Sequence, residues 1–377
     1  MPATVTFVVP CYKLAHLLPE CVNSILSQTY ADFEILIMDD CSPDSTAEVA
    51  RSFTDKRVKY IRNETNLGHL RNYNKGILMA EGEYIWLISA DDRLRNPRAL
   101  ETYVQFLKSH PKVGYVFSSG MFLQNGQETS LIVDSWWGPR DIVFKGHDFF
   151  VRLYRGDANI VCPSCLVRKE CYATVSLFPL DMPHAADRYL WSLWALTYDV
   201  AYFAEPMVDY RIHDLNIMKT LRRSRIVTTD MLAWQSRMRE KAEEAGHSQL
   251  ASTWLSNVSN LYVYALLSDR FQLSPHCMNF DEFEESLNQH TRSAGEKKNL
   301  RARVYAGFAD GCYERGDFAE TLQFYRKALR EVSFMPNIWA KYTLLRLGKL
   351  GITFRRAARD LRPLLTRRPR TSSTPPA

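Results

Sequence analysis

The chain has 377 residues, enough for a sizeable core and two domains, and at 46% hydrophobic and 24% charged its composition is that of an ordinary folded soluble protein. No apolar run approaches the ~20 residues of a membrane helix. The opening Met1-Pro2-Ala3-Thr4 lacks a signal peptide's charged and apolar regions, and eight scattered cysteines read as reduced thiols, so the cytoplasm is the expected compartment.

Thr4 to Val9 reads as an apolar, β-branched strand stopped by Pro10, followed by Cys11-Tyr12-Lys13 and an amphipathic helix from about Leu17 to Gln28. Phe33 to Met38 is a second buried strand, ending at Asp39-Asp40-Cys41-Ser42. Ser45 or Thr46 caps a helix running to about Phe53. Val58 to Ile61 is a third strand, Asn66-Leu67-Gly68 a turn, and His69 to Met79 a helix closed by Gly82. The unbroken apolar run Tyr84 to Ile88 reads as a strand buried on both faces, and a helix from Pro97 to about His110 and a strand from Val113 to Leu123 follow. Strands alternating with helices of ten to fifteen residues predict a mostly parallel sheet wrapped by helices.

Asp91 and Asp92 stand where the central strand ends. In an open α/β sheet ligands bind at the carboxyl ends of strands. Two acids placed there repel each other and lose solvation unless a cation sits between them, so a divalent metal carrying a phosphate-bearing substrate is the candidate. The competing reading is a solvated turn whose aspartates cap the next helix. A dinucleotide fold is excluded by the turn Pro10-Cys11-Tyr12-Lys13-Leu14, which holds no glycine, and no Gly-x-x-x-x-Gly-Lys loop occurs. A bound diphosphate would have to be met by a metal and by side chains.

The segments Val-Pro-Cys-Tyr (9–12), Ser-Ile-Leu-Ser-Gln-Thr-Tyr-Ala-Asp-Phe-Glu (24–34), Ile-Met-Asp-Asp-Cys-Ser (37–42), Asn66-x-Gly68, Arg71-Asn72, Ala80-Glu81-Gly82-Glu83-Tyr84 and Ala90-Asp91-Asp92 occur in this order. Together they resemble the nucleotide-binding half of family-2 glycosyltransferases of the GT-A fold, most of all the spore-coat polysaccharide type. The resemblance is close over the first quarter and loose to about residue 220. It implies that Pro10, Tyr12 and Asp40 hold nucleobase and ribose. Arg71 would face base or phosphates, Asp91 would bind ribose or donor sugar, and Asp92 would bind the metal. Many members carry a further aspartate where Ser89 stands; the spore-coat type has threonine there.

Residues 124–160 are loop-rich, and Trp136-Trp137 suits either sugar stacking or loop anchoring. Cys162-Pro163-Ser164-Cys165 has the short spacing of half a zinc site but no partner pair, so it reads as buried strand thiols. Apolar residues at 186, 189, 190, 193 and 194 mark a helix with Asp187 near its start. By itself that acid suits the helix macrodipole. The resemblance makes Asp187 the catalytic base, with Ala186 replacing the acid that usually precedes it. Val200 to Tyr202 and Met207 to Ile212 read as two strands, and Tyr210-Arg211-Ile212-His213 resembles the family segment whose histidine completes the metal shell.

From about Ser224 the chain is helical, with apolar periodicity over 226–244, 251–268, 280–289, 302–312 and 318–330, and one tetratricopeptide-like turn around Gly316 without a second copy. Residues 341–377 hold ten Lys or Arg against one acid, Asp360, so of the chain's net +6 this end carries +9 and leaves −3 on residues 1–340. It suits an anionic inner-membrane surface or a solvated tail; without interleaved aromatics or a nucleic-acid motif, nucleic acid is not expected.

The expectation is a GT-A catalytic domain over 1–220 (nucleotide-binding half 1–97, acceptor half 98–220), a helical domain over 221–350, open to homodimer formation, and a basic tail over 351–377. It would be an inverting glycosyltransferase using Mn2+ or Mg2+ and a nucleoside-diphosphate sugar, UDP- or dTDP-linked, with a saccharide or lipid-linked saccharide acceptor in surface polysaccharide synthesis. Two alternatives stand beside it: a non-catalytic nucleotide-sugar binder, suggested by Ser89 and Ala186, and a scaffold for membrane or protein partners.

Overall fold

The structure, a computed structural model, describes residues 3–124, 126–132, 137–157, 159–213, 221, 225–247, 250–273 and 278–348. The chain divides into two compact units, Met1–Trp254 and Leu255–Ala377.

The first unit runs β1 (Val5–Cys11), α1 (Leu18–Leu26), β2 (Phe33–Asp39), α2 (Thr46–Ser52), β3 (Val58–Arg62), α3 (His69–Met79), β4 (Tyr84–Leu87), β5 (Arg93–Leu94), α4 (Ala99–Ser109), β6 (Val113–Gln124) and β7 (Gln127–Ile132). It continues with β8 (Ile142–Phe144), α5 (Gly146–Arg155), β9 (Leu166–Arg168), α6 (Lys169–Thr174), α7 (Ala186–Ala195), β10 (Asp199–Ile212) and α8 (Ile226–Glu244).

Every residue of β1, β2 and β4 is buried, as expected of apolar runs covered by helices on both faces. The sheet order is β3-β2-β1-β4-β9-β6-β10-β5, with β7 on β6 and β8 on β10. β3, β2, β1 and β4 run parallel, and β10 runs parallel to β6. The mostly parallel α/β reading therefore holds. The chain winds outward from β1 through β2 to β3 and then returns to place β4 on the other side of β1. That reversal opens a crevice at the carboxyl ends of β1, β2 and β4, where ligands bind in sheets of this kind.

Two expectations change. The strands read at 200–202 and 207–212 are one strand, β10, with a register shift between Phe203 and Val208 that absorbs Glu205 and Pro206. Gly82 does not close α3, whose C-cap is Ala80; a Cβ at Gly82 would lie 2.6 Å from the Thr6 backbone nitrogen, so the glycine permits close contact with β1. Three-residue β9, antiparallel between β4 and β6, carries too little pattern to be seen in sequence.

The core is an aromatic ladder: Phe7 stacks on Trp86 (5.4 Å), Trp86 on Tyr103 (5.1 Å), and Tyr103 meets Phe203 (5.0 Å). The buried Trp86 indole donates to the Pro163 carbonyl at 2.7 Å, which fastens β4 to the turn before β9. Helix α8 packs in this unit: Trp234 Nε1 donates to Ser192 Oγ (3.3 Å) and Gln235 Nε2 to the Tyr154 carbonyl (3.3 Å).

Helix α9 (Ala251–Phe271) leads into the second unit of α10 (Phe280–His290), α11 (Ala294–Glu314), α12 (Phe318–Glu331) and α13 (Pro336–Arg346). Helix α11 starts eight residues before its apolar periodicity, capped by Ser293, because its first turns are polar (Glu296, Lys297, Lys298). Helix α13 buries only Ile338, Tyr342 and Leu345, a stripe too short to stand out in sequence. The 351–377 tail lies outside the described residues.

Candidate functional site

At the end of β1, Pro10 is buried and Tyr12 is 40% exposed, with the Lys13 ammonium 5.0 Å from its ring centre. Lys13 and Cys41 both adopt φ 60°, a left-handed conformation that non-glycine residues seldom take. Asp39 explains how the two loops are held. One of its oxygens accepts from the Ser42 amide (2.8 Å), and the other accepts from Tyr60 Oη and Arg62 Nη1 (2.7 Å each). Ser42 Oγ in turn accepts from the Lys13 amide at 3.1 Å.

Asp40 is buried beside it. Its Oδ1 accepts from the Leu67 amide (2.7 Å) and Asn63 Nδ2 (2.9 Å), and its Oδ2 accepts from the Gly68 amide (2.9 Å). Gly68, at φ +80°, turns its N–H onto that carboxylate and precedes α3. A carboxylate offers about four acceptor sites, so three are engaged within the chain. Arg71, in the first turn of α3, is exposed and has no hydrogen bond or ion pair among the described residues. Asp40 thus builds the turn that presents Arg71.

Asp91 and Asp92 are 8% and 3% exposed at the turn after β4, which the Asp92 amide closes onto the Ser89 carbonyl at 3.0 Å. Asp92 Oδ1 accepts from the Arg211 amide (2.9 Å), and Arg211 Nε donates to the Asp91 carbonyl (2.7 Å). His213 Nε2 lies 2.8 Å from Asp91 Oδ2. Burial, and then the neighbouring Asp91 charge, push the Asp92 acid well above the usual carboxylate range. The structure brings Asp91, Asp92 and His213 together, with the imidazole on Asp91.

Asp187 sits in the first turn of α7, its Oδ1 accepting from the Arg188 amide at 2.6 Å. Leu87, Cys162, Cys165, Tyr172, Phe178, Leu190 and Trp191 share with it a cavity of about 10 Å³. Burial raises its acid above the ordinary aspartate range. The Arg188 guanidinium lies over the Trp234 ring at 5.3 Å. Helix α3 ties this side to the first half of the sheet: Asn74 Nδ2 donates to the Phe178 carbonyl and the Phe178 amide to Asn74 Oδ1 (2.9 Å each), and His69 Nε2 meets the Pro183 carbonyl at 3.1 Å. Cys162 is close enough to both acids that, after burial, Asp187 and Asp92 each raise its thiol. Tyr73 likewise feels Asp91, Asp187 and Asp92.

Trp137 proves to be a loop anchor. Its ring packs among Phe144 and Phe149 (5.2 Å each), and its Nε1 donates to the Asn159 carbonyl at 3.2 Å. Trp136 lies outside the described residues. Cys162, half-buried in the turn before β9, and buried Cys165 are free thiols, and neither lies in a strand. Glu20, Asn63, Tyr73, Cys162 and Arg211 surround the site without having been given a role. Only Arg211 carried a signal, inside Tyr-Arg-x-His; Glu20 looks like any acid in a helix's first turn.

Among the described residues no three His, Cys, Asp or Glu side chains form a ready metal cage. The donors at the acid pair nonetheless suit Mg2+ or Mn2+: Mg2+ commonly takes one or two carboxylates and completes its shell with substrate phosphates and water. Burial and the Asp91 charge both disfavour a negative charge on Asp92, a penalty that a bound cation would offset.

Residues 6–171 match the family model described as Glycosyl transferase family 2. An uncharacterized glycosyltransferase of Haemophilus influenzae is 28% identical over 224 residues, 55% of this chain and 65% of that relative, so the match spans just under two thirds of its length. UDP-Glc:alpha-D-GlcNAc-diphosphoundecaprenol beta-1,3-glucosyltransferase WfgD of Escherichia coli is 25% identical over 187 residues, 50% of this chain and 68% of WfgD. Among solved structures, residues 1–349 of S. aureus TarS in complex with UDP-GlcNAc superpose with a TM-score of 0.60 at 17% identity, covering 87% of this chain and 90% of that one. That likeness shows a shared fold.

Proposed function

Residues 6–171 belong to glycosyl transferase family 2, and from that premise we propose that the chain moves a sugar from a nucleoside-diphosphate donor to a hydroxyl of a saccharide or lipid-linked saccharide, with inversion. The observation that carries the reading is the buried Asp91–Asp92 pair at the end of β4 with His213 beside it, close to a third, half-buried acid, Asp187, on α7. UDP and dTDP are the favoured donor nucleotides. WfgD is named for a UDP-glucose donor and a diphosphoundecaprenol-linked acceptor, and TarS was solved with UDP-GlcNAc, which supports UDP and a lipid-linked acceptor.

In this reading the turn held by Asp40, together with Pro10 and Tyr12, receives the base and ribose, and Arg71 meets the base or the phosphates. Asp91 orients ribose or sugar. Asp92 and His213, beside Asp91, would hold a Mg2+ or Mn2+ ion, which supplies positive charge against the departing diphosphate. Asp187 takes the proton of the acceptor hydroxyl as that oxygen bonds to the anomeric carbon. The bond from that carbon to the diphosphate breaks on the opposite face, so one displacement inverts the centre. The raised acid of Asp187 makes its carboxylate a stronger base than an exposed aspartate.

The basic end, 341–377, would bring the enzyme to an anionic membrane surface on the cytoplasmic side, near a lipid-linked acceptor. No helix among the described residues is long and apolar enough to cross a membrane. Calorimetric titration with UDP, dTDP, GDP and CDP, in Mn2+ and again in chelator, tests the donor reading. UDP or dTDP binding that Mn2+ strengthens, with that gain lost in Asp92→Ala, is expected. Binding of none of the four overturns it.

A further inference from the structure

The acid pair is held from behind by a residue that no motif marks. Glu20, in the first turn of α1, accepts from Arg93 Nη1 with one carboxylate oxygen and from Arg211 Nη2 with the other. Arg93 directly follows the acid pair, and its Nε donates at 2.6 Å to Asp209, a fully buried residue of β10. Arg211 stands two residues before His213; its amide donates to the Asp92 carboxylate and its guanidinium to the main-chain carbonyl of Asp91. A single carboxylate on α1 therefore joins the turn that carries Asp91 and Asp92 to the strand end that carries His213.

Charge explains why the join matters. Arg93 and Arg211 bring two cations beside the acid pair, and Glu20 and Asp209 balance them. Without Glu20, the Arg211 guanidinium would keep its contact with the Asp91 main-chain carbonyl and lose this counter-charge beside the acid pair. It would then compete for the charge that a divalent cation needs. We propose that Glu20 is a positioning residue for the acid pair, acting through Arg211 and Arg93 to hold both carboxylates in place and keep them available to a cation. This rests on the donor-site reading above for its functional consequence.

Glu20 is accessible to substitution: its side chain is 37% exposed, at the lip of an open cleft of about 340 Å³. The test uses the full chain carrying E20Q, R211K or both, with UDP calorimetry in Mn2+ and in chelator and amide hydrogen exchange. E20Q is expected to cut the Mn2+-dependent gain in UDP affinity about tenfold. Affinity in chelator should be unchanged, and exchange should quicken at 89–94 and 208–213 together. R211K should do the same, and the double variant should fall well short of the sum of the two, because both remove the Glu20–Arg211 link. Unaltered exchange overturns the proposal. So does faster exchange with the Mn2+ gain intact, which would make Glu20 structural only, and so do additive effects. Failure of the unsubstituted chain to bind UDP refutes the donor reading instead, while exchange still decides whether Glu20 holds the pair.

Discussion

His213 Nε2 lies 2.8 Å from Asp91 Oδ2, closing the end of β10 onto the turn after β4. The contact makes the imidazole and the acid pair one cluster, and Arg211 adds a second tie through Asp92. If the cluster holds a divalent ion, removing one supporting group weakens the ion more than the nucleotide base. His213→Ala should raise the Mn2+ concentration for half-maximal transfer about 10–100-fold and leave UDP affinity in chelator unchanged. An unshifted Mn2+ dependence would remove His213 from the metal site.

Asp187 is raised by burial, and that fixes two signs. A base must be ionised to accept a proton, so transfer falls as pH drops through its acid constant, and the acidic limb of the rate profile should lie above the usual aspartate range. For stability the sign is opposite. An acid raised in the folded state contributes fully at low pH, and that contribution is lost as pH rises through the folded value. Asp187→Asn should therefore cost ~10²–10⁴ in rate, leave UDP binding intact, and raise the unfolding temperature at pH 8. Near-full transfer by this variant would show that another group takes the proton.

Asp40 accepts from the backbone amides of Leu67 and Gly68, the second of which it shares with Asn66 Oδ1 at 3.1 Å. Asp40→Ala would take its acceptor from the Leu67 amide, at about 1–3 kcal/mol for a buried group, and should lower stability and UDP affinity together. Gly68→Ala separates backbone from packing. A Cβ there meets nothing within 4 Å, so its cost comes from the backbone alone, at φ +80° and ψ 156°, a region that is glycine's own, roughly 1–3 kcal/mol. Denaturant midpoints for both variants check this; a Gly68→Ala protein as stable as the parent would mean that the turn relaxes without cost.

Much of this site is legible in sequence because its carriers sit where local patterns change. Asp39-Asp40 and Asp91-Asp92 end apolar runs, and the termini of α3 were read to the residue. Side-chain partnership is another matter. That His213 chooses Asp91, and that Asp40 spends its oxygens on residues 63–68, depends on rotamers and on chain segments brought together only by the sheet. Glu20 is the extreme case: its partners, Arg93 and Arg211, are 73 and 191 residues away. Trp137 shows the converse, since a tryptophan on a glycine- and proline-rich loop has the same local sequence whether it faces a sugar or, as found, packs on Phe144 and Phe149.

Arg71 offers the cleanest separation of binding from folding. It is exposed and engages no other described residue, so truncating it removes nothing that holds the fold, and surface changes of this kind stay within about ±0.5 kcal/mol. A hydrogen bond to a charged group contributes about 1.5–3 kcal/mol, or roughly 10–150-fold in affinity. Arg71→Gln should therefore weaken UDP binding by about that factor while the unfolding temperature stays put. If the guanidinium faces the diphosphate, binding of the variant should also depend less steeply on salt. Uridine, which lacks the phosphates, decides what the guanidinium reads. If the substitution spares uridine and harms UDP, Arg71 faces the phosphates; equal loss for both places it on the base; no loss for either would remove Arg71 from the donor site.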